Sequence, residues 1–254
     1  MTSGLEIERR EASTSPSLGR LVLLHGFTQT RRSWDRIAAA IGDRYETVAV
    51  DAPGHGGSTG VRLDLTGAAE ALAREVGRAT YVGYSMGGRL ALHVAVARPD
   101  VVERLVLVSA SPGIADPAAR AERRVADDRL ADEIERDGVD AFLERWLALP
   151  LLARLPADSA GLEERRANTA VGLASSLRLA GTGAQEPLWD RLDRLTMPVL
   201  LVVGEHDAKF RATAVEMATA LPAAAIEVIA GAGHVVHLEQ PTAFVALVRG
   251  WLDG

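Results

Sequence analysis

The sequence predicts an α/β fold, a mostly parallel doubly wound sheet with a helical cap inserted into it. Three observations carry that expectation. Apolar runs without alternation, such as Leu21-Val22-Leu23-Leu24 and Val199-Leu200-Leu201-Val202-Val203, suit strands buried on both faces. Segments of helical spacing follow most of these runs, the rhythm of a parallel sheet with crossover helices. From Ser111-Pro112-Gly113 to about Asp190 the rhythm stops, and only helical patterns remain.

Taken in order, Leu5-Glu6-Ile7-Glu8 alternates like a short strand and Leu21–Leu24 is the first buried one. Ser33 to Ile41 reads as helix, and Thr47–Asp51 as strand, closed by the turn-rich Ala52-Pro53-Gly54-His55-Gly56-Gly57-Ser58. Leu65 to Val76 has helical spacing. Ala79–Val82 leads as a strand into Gly83-Tyr84-Ser85-Met86-Gly87, and Gly88–Ala97 leads out as a helix. Leu105–Ser109 is the next strand. Ala121 to Trp146 is rich in helix formers, with Leu130, Ile134, Phe142, Leu143 and Trp146 at mostly helical spacings and Gly138 as a break. After the strand at Val199, a helix is expected from about Ala212 to Leu221, a strand at Ile226–Ile229 and a last helix from Thr242 to Leu252. The expected division is a core of residues 1–111 and 191–254 and a cap of residues 112–190.

Composition narrows the function classes. The 254 residues are 48% hydrophobic, enough for a sizeable core. A net charge of −6 without a long basic run argues against nucleic acid as a partner. The chain has no cysteine, which removes disulfides, thiolate metal sites and a cysteine nucleophile. Met1 to Pro16 is polar and charged, and no apolar run approaches membrane-spanning length, so a cytoplasmic protein without a membrane partner is expected. Lys209 is the sole lysine; a compositional preference for arginine makes any single arginine weaker evidence of anion recognition.

The chemistry is announced by Gly83-Tyr84-Ser85-Met86-Gly87, a G-x-S-x-G pattern between strand and helix. A sharp turn there lifts the serine hydroxyl to the strand's carboxyl end, beside the free amides of a helix N-terminus. Serine needs a base, and His234, in a glycine-rich loop after a predicted strand, supplies one. The base needs an orienting carboxylate, and Asp207 follows another predicted strand. Glu205 competes for the acid role and His237 for the base; Asp207 lies further into its loop, and His237 falls at a helix start. Two amides are expected to hold developing negative charge, those of Met86 and of Phe27 in Leu24-His25-Gly26-Phe27-Thr28-Gln29. His25 and His55 read as loop-ordering residues. A metal pair of His234 and His237 lacks a third ligand, so no metal and no other cofactor is expected.

Arg89, four residues after Ser85, projects on roughly the serine's side of the helix. The cap adds Arg120, Arg123 and Arg124, then Arg165 and Arg166. A solvated face pairing with Glu122, Asp127 and Asp128 accounts for most of them. A subset aimed at Ser85 would suit carboxylates, because a guanidinium binds them bidentately. Trp146 fits equally as cap core and as pocket wall.

These pieces together resemble the α/β-hydrolase fold, and within it the 2-succinyl-6-hydroxy-2,4-cyclohexadiene-1-carboxylate synthases of menaquinone biosynthesis. The resemblance rests on Leu24–Thr28, Asp51–Ser58, Gly83–Arg89, Ser111-Pro112-Gly113 with Arg120–Arg124, Gly204–Phe210 and Gly233-His234. It implies a lyase that removes pyruvate from a polycarboxylate small molecule, with Ser85 as base activated by His234 and Asp207. It further implies that Phe27 and Met86 hold the enolate-like charge, that Arg89, Arg123 and Arg166 bind carboxylates, and that Tyr84 and Trp146 line the pocket. A serine hydrolase, with Ser85 as nucleophile, shares every triad residue and stays open as the alternative.

Overall fold

The computed structural model describes residues 4–254; Met1, Thr2 and Ser3 of the polar N-terminal stretch lie outside it. Seven strands form one sheet: β1 (Ile7–Arg10), β2 (Arg20–Leu24), β3 (Glu46–Val50), β4 (Ala79–Tyr84), β5 (Val102–Val108), β6 (Val199–Gly204) and β7 (Ala224–Ile229). Their order is β1-β3-β2-β4-β5-β6-β7, with β1 antiparallel to β3 and every other pair parallel. The first strand lies two residues later than its alternation suggested, because Ile7 pairs with Val50 and Arg10 with Thr47.

Each central strand serves two cores, which is why its sequence does not alternate. In β2, Val22 and Leu24 face a layer built with α2 (Leu65–Val76) and α3 (Met86–Ala97). Leu21 and Leu23 face Trp34, Ile37 of α1 (Asp35–Ile41) and Phe244 of the C-terminal helix Pro241–Asp253. The expected helix from Ser33 is a 3-10 turn, Arg31–Trp34, that runs into α1.

The stretch between β5 and β6 contains helices and turns only. Its long helix, α4 (Pro117–Leu147), is capped by Asp116, whose side chain accepts from the Ala119 amide at 2.7 Å. Gly138 breaks it at φ 83° and ψ 170°. The short α5 (Leu162–Arg166) and α6 (Ala170–Ala180) complete the segment. Ile134, Phe142, Leu143, Leu173 and Leu177 form its own small core, against which Phe27 and Trp146 pack. That core therefore sits over the loop after β2, at the carboxyl edge of the sheet. Among the described residues no helix is long and apolar enough to cross a membrane.

Candidate active site

Four loops at the carboxyl ends of β2, β4, β6 and β7 converge on Ser85. The serine sits between β4 and α3 at φ 51° and ψ −109°, a conformation few non-glycine residues adopt. The neighbouring glycines make it affordable sterically. A Cβ on Gly83 would strike the Gly87 carbonyl, and one on Gly87 would strike that of Leu24. The Ser85 amide donates to the Val108 carbonyl at 2.9 Å, tying the turn to β5.

His234 follows β7 and is buried. Its Nδ1 lies 2.7 Å from Asp207 Oδ2 and its Nε2 lies 3.3 Å from Ser85 Oγ. The first contact places the proton on Nδ1 and leaves Nε2 free to accept the serine's. Asp207 also receives the Phe210 amide at 3.3 Å, so it caps α7 (Ala208–Ala220), which begins four residues earlier than its sequence pattern suggested. Glu205, the rival acid, instead accepts from the Gly231 amide at 2.8 Å, which is the main reason its carboxyl lies below its usual range. His237, the rival base, is fully buried and stacked on Trp34 at 4.2 Å. Desolvation, helped by Arg165 and His234, holds it neutral with a pKa of about 3.

The loop after β2 carries Phe27, whose ring meets those of Phe142 and Trp146. His25 Nδ1 bonds its own chain at the Gly26 carbonyl (2.8 Å), and its Nε2 accepts from the Ala52 amide (3.0 Å). His55 donates to the Pro53 carbonyl at 3.1 Å and accepts from the Thr28 amide at 3.4 Å. Both histidines stitch loops together. The Gln29 side chain accepts from the Gly26 amide at 2.9 Å, which holds the loop tight before Phe27. Met86 opens α3, where the first amides of a helix lack intrahelical partners. Phe27 and Met86 both line the cavity at Ser85.

Ser85 borders a cavity of about 280 Å³ whose lining includes Tyr84, Phe27 and Trp146 together with Arg89, Arg123 and Arg165. The Phe27 and Trp146 rings meet edge to face at 5.3 Å. Burial raises the Tyr84 phenol well above its ordinary pKa, so it stays neutral.

The arginines are the most informative part of the lining. Arg89 is buried, and its Nη1 donates to the Ala180 carbonyl at 2.7 Å and to Gln185 Oε1 at 3.3 Å. Desolvation, with the nearby Arg123, lowers its pKa to about 10 against the opposing pull of Asp127. Arg165 is only 2% exposed and is held by the Ala160 carbonyl at 2.7 Å and the Thr28 hydroxyl. Its pKa also falls to about 10, again through desolvation. Both remain cationic at neutral pH, and among the described residues neither has a carboxylate in hydrogen-bonding contact. Burying a charge so is expensive unless something pairs with it.

Arg123 borders the cavity while its Nε binds the buried Asp127 at 2.7 Å. Arg124 pairs with Asp128 at 3.3 Å outside the lining, and Arg120 donates to the Ile114 carbonyl at 3.2 Å. The expectation for Arg166 is corrected. Arg166 lies on the surface, bound to Asp140 at 2.8 Å and Glu163 at 2.6 Å, and Arg165 holds the cavity position instead. One step along a helix turns a side chain by about 100°, so adjacent arginines in α5 need not share a face. Sequence reasoning also missed Gln185 and Asn168. Gln185 supports Arg89, and Asn168 donates to the Thr28 carbonyl at 2.7 Å; neither falls in a recognisable pattern.

A serine elbow, a buried histidine and a carboxylate in that chain order, on the carboxyl edge of a parallel sheet, define an enzyme of the α/β-hydrolase class. The chain belongs to the alpha/beta hydrolase family, whose sequence model matches residues 21–247. More particularly, it is 33% identical over 241 residues to a Salmonella agona (strain SL483) protein named 2-succinyl-6-hydroxy-2,4-cyclohexadiene-1-carboxylate synthase, covering 91% of this chain and 92% of that one. The same synthase name is given provisionally to a Bacillus subtilis (strain 168) protein, 39% identical over 246 residues, with 91% of this chain and 89% of that protein covered. A solved structure described as MenH from S. aureus superposes with a TM-score of 0.92 at 32% identity, over 97% of each chain.

Proposed function

We propose that this enzyme eliminates pyruvate from a succinylated enolpyruvyl cyclohexene carboxylate, giving 2-succinyl-6-hydroxy-2,4-cyclohexadiene-1-carboxylate. The observation that carries the reading is the pair of buried cations, Arg89 and Arg165, that face the triad's cavity without a carboxylate of their own. A substrate with several carboxylates supplies what the protein withholds, and a guanidinium suits each of them. Similarity to the synthases supports the same reading.

In this mechanism His234 accepts the proton of Ser85, and Ser85 takes the proton on the carbon beside the succinyl carbonyl. The electron pair enters the carbonyl as an enolate, held by the Phe27 and Met86 amides. Collapse of the enolate moves the ring double bond and breaks the carbon–oxygen bond to the enolpyruvyl group. The leaving group takes the proton from His234, and pyruvate departs. Asp207 holds the imidazole and steadies its charge between the two transfers. No water is consumed. In the cytoplasm such an enzyme would need no membrane or nucleic-acid partner.

Incubation with the enolpyruvyl precursor, while pyruvate release is followed, tests the proposal. Release well above the uncatalysed rate is expected. Turnover of simple esters with no pyruvate release would favour the hydrolase reading, in which the same Ser85 attacks a carbonyl.

A further inference from the structure

Glu239 lies at the end of α8 (Val236–Glu239), outside the cavity lining and outside the triad. Its carboxylate turns back over the chain. One oxygen, Oε2, accepts from the Gly233 amide at 2.5 Å, and the other, Oε1, from the Val235 amide at 2.8 Å. The residue between those amides is His234. A glutamate reaching back to the first amide of its own helix is ordinary capping, and Val235 alone would satisfy it. The Gly233 contact is different, because it grips the chain on the far side of the histidine.

We propose that Glu239 is the positioning residue for His234. Gripping these two amides fixes the peptide plane that follows His234 and the one that enters Gly233, a residue before it, and so restricts the direction of the His234 Cα–Cβ bond. That direction must satisfy two contacts at once, 2.7 Å to Asp207 and 3.3 Å to Ser85. The loop is anchored at its other end in the same manner. Glu205 holds the Gly231 amide at 2.8 Å, and the His206 amide donates to the Ala232 carbonyl at 2.9 Å. Gly204 lets the loop lie close, since a Cβ there would strike the Gly233 carbonyl. Glu205 therefore sets where the loop begins, and Glu239 sets how His234 leaves it. The proposal rests on His234 acting as the proton carrier, and on nothing about which substrate is turned over.

The test compares the full-length wild type with Glu239→Gln and Glu239→Ala by proton NMR and by steady-state kinetics. Glutamine keeps one acceptor oxygen and cannot hold both amides. The strongly downfield His234 Nδ1 proton, which reports the bond to Asp207, is expected to move or broaden in both variants. Misplacement of a catalytic group by about 1 Å costs about 100-fold, so kcat should fall about 100-fold in the alanine variant and less in the glutamine variant, with KM unchanged. Wild-type kcat together with an unmoved resonance in either folded variant would overturn the proposal. So would a lowered Tm with both readouts intact, the mark of a merely structural cap. The resonance is read without substrate, so a failed synthase assay leaves this test standing.

Discussion

Arg165→Met separates substrate binding from folding. Burial lowers the Arg165 pKa from its ordinary value to about 10, which corresponds to about 3 kcal/mol against the charged form. Methionine removes that penalty and keeps much of the stem's packing. Against this, the Ala160 carbonyl loses its donor, worth about 1–3 kcal/mol when buried, whereas the Thr28 hydroxyl can rotate to another partner. The two effects roughly cancel, and Tm is expected to move by only about 5 °C or less. Binding has no such compensation. A hydrogen bond to a charged group contributes about 1.5–3 kcal/mol, so losing the substrate carboxylate's partner should raise KM about 10- to 150-fold. The paired control is Arg166→Ala, which breaks only exposed ion pairs, each worth about 1 kcal/mol or less, and should leave KM unchanged. Steady-state kinetics on the precursor and thermal melts by circular dichroism read both quantities. An unchanged KM in Arg165→Met, or a rise in Arg166→Ala to match it, would refute the assignment of Arg165 to the carboxylate site.

Further outcomes follow from the same geometry. Ser85→Ala should reduce pyruvate release by about 10³-fold or more while the fold persists, measured by single-turnover assays; near-normal turnover would remove Ser85 from the mechanism. Gly87→Ala should destabilise the chain by about 1–3 kcal/mol and impair turnover, since its Cβ meets the Leu24 carbonyl in a packed turn; wild-type melting and activity would show that the turn yields. Stability should also fall in acid. His55 and His237, at about 3, and His93, at about 4, are all held below the unfolded value by desolvation first. Their contribution is therefore complete above about pH 6.5 and is lost as pH falls toward the folded values, by about 2 kcal/mol per histidine at pH 5. Melts of wild type and His237→Phe at pH 7 and pH 5 test this, and an equal drop in both would exclude His237 as a contributor.

The sheet was legible because burial on two faces writes itself as unbroken apolar runs, as in Leu21–Leu24 and Val199–Val203. The elbow was legible because its geometry admits few residues at Gly83 and Gly87. The start of α7 was not, because Asp207 both orients His234 and caps the helix, and a residue with two tasks reads as loop. The edge strand β7 starts two residues earlier than its apolar core at Ile226–Ile229, where only pairing with β6 distinguishes it. The cationic lining of the cavity was legible at Arg89, fixed by one helical turn from Ser85. It was not legible at Arg165 and Arg166, where α5 is a single short turn and its rotation is set by contacts with Thr28 and Ala160. Glu239 left only a helix-end pattern, since its contacts run backward over a loop.

In the proposed reaction the triad carries a proton and no acyl group. Quantifying pyruvate and free succinate from the same precursor distinguishes the two roles. One pyruvate should be released for each substrate consumed, with the succinyl group retained on the ring, and Ser85→Ala should yield neither product above background. Free succinate without pyruvate would mean that water cleaves the substrate and that Ser85 is a nucleophile after all.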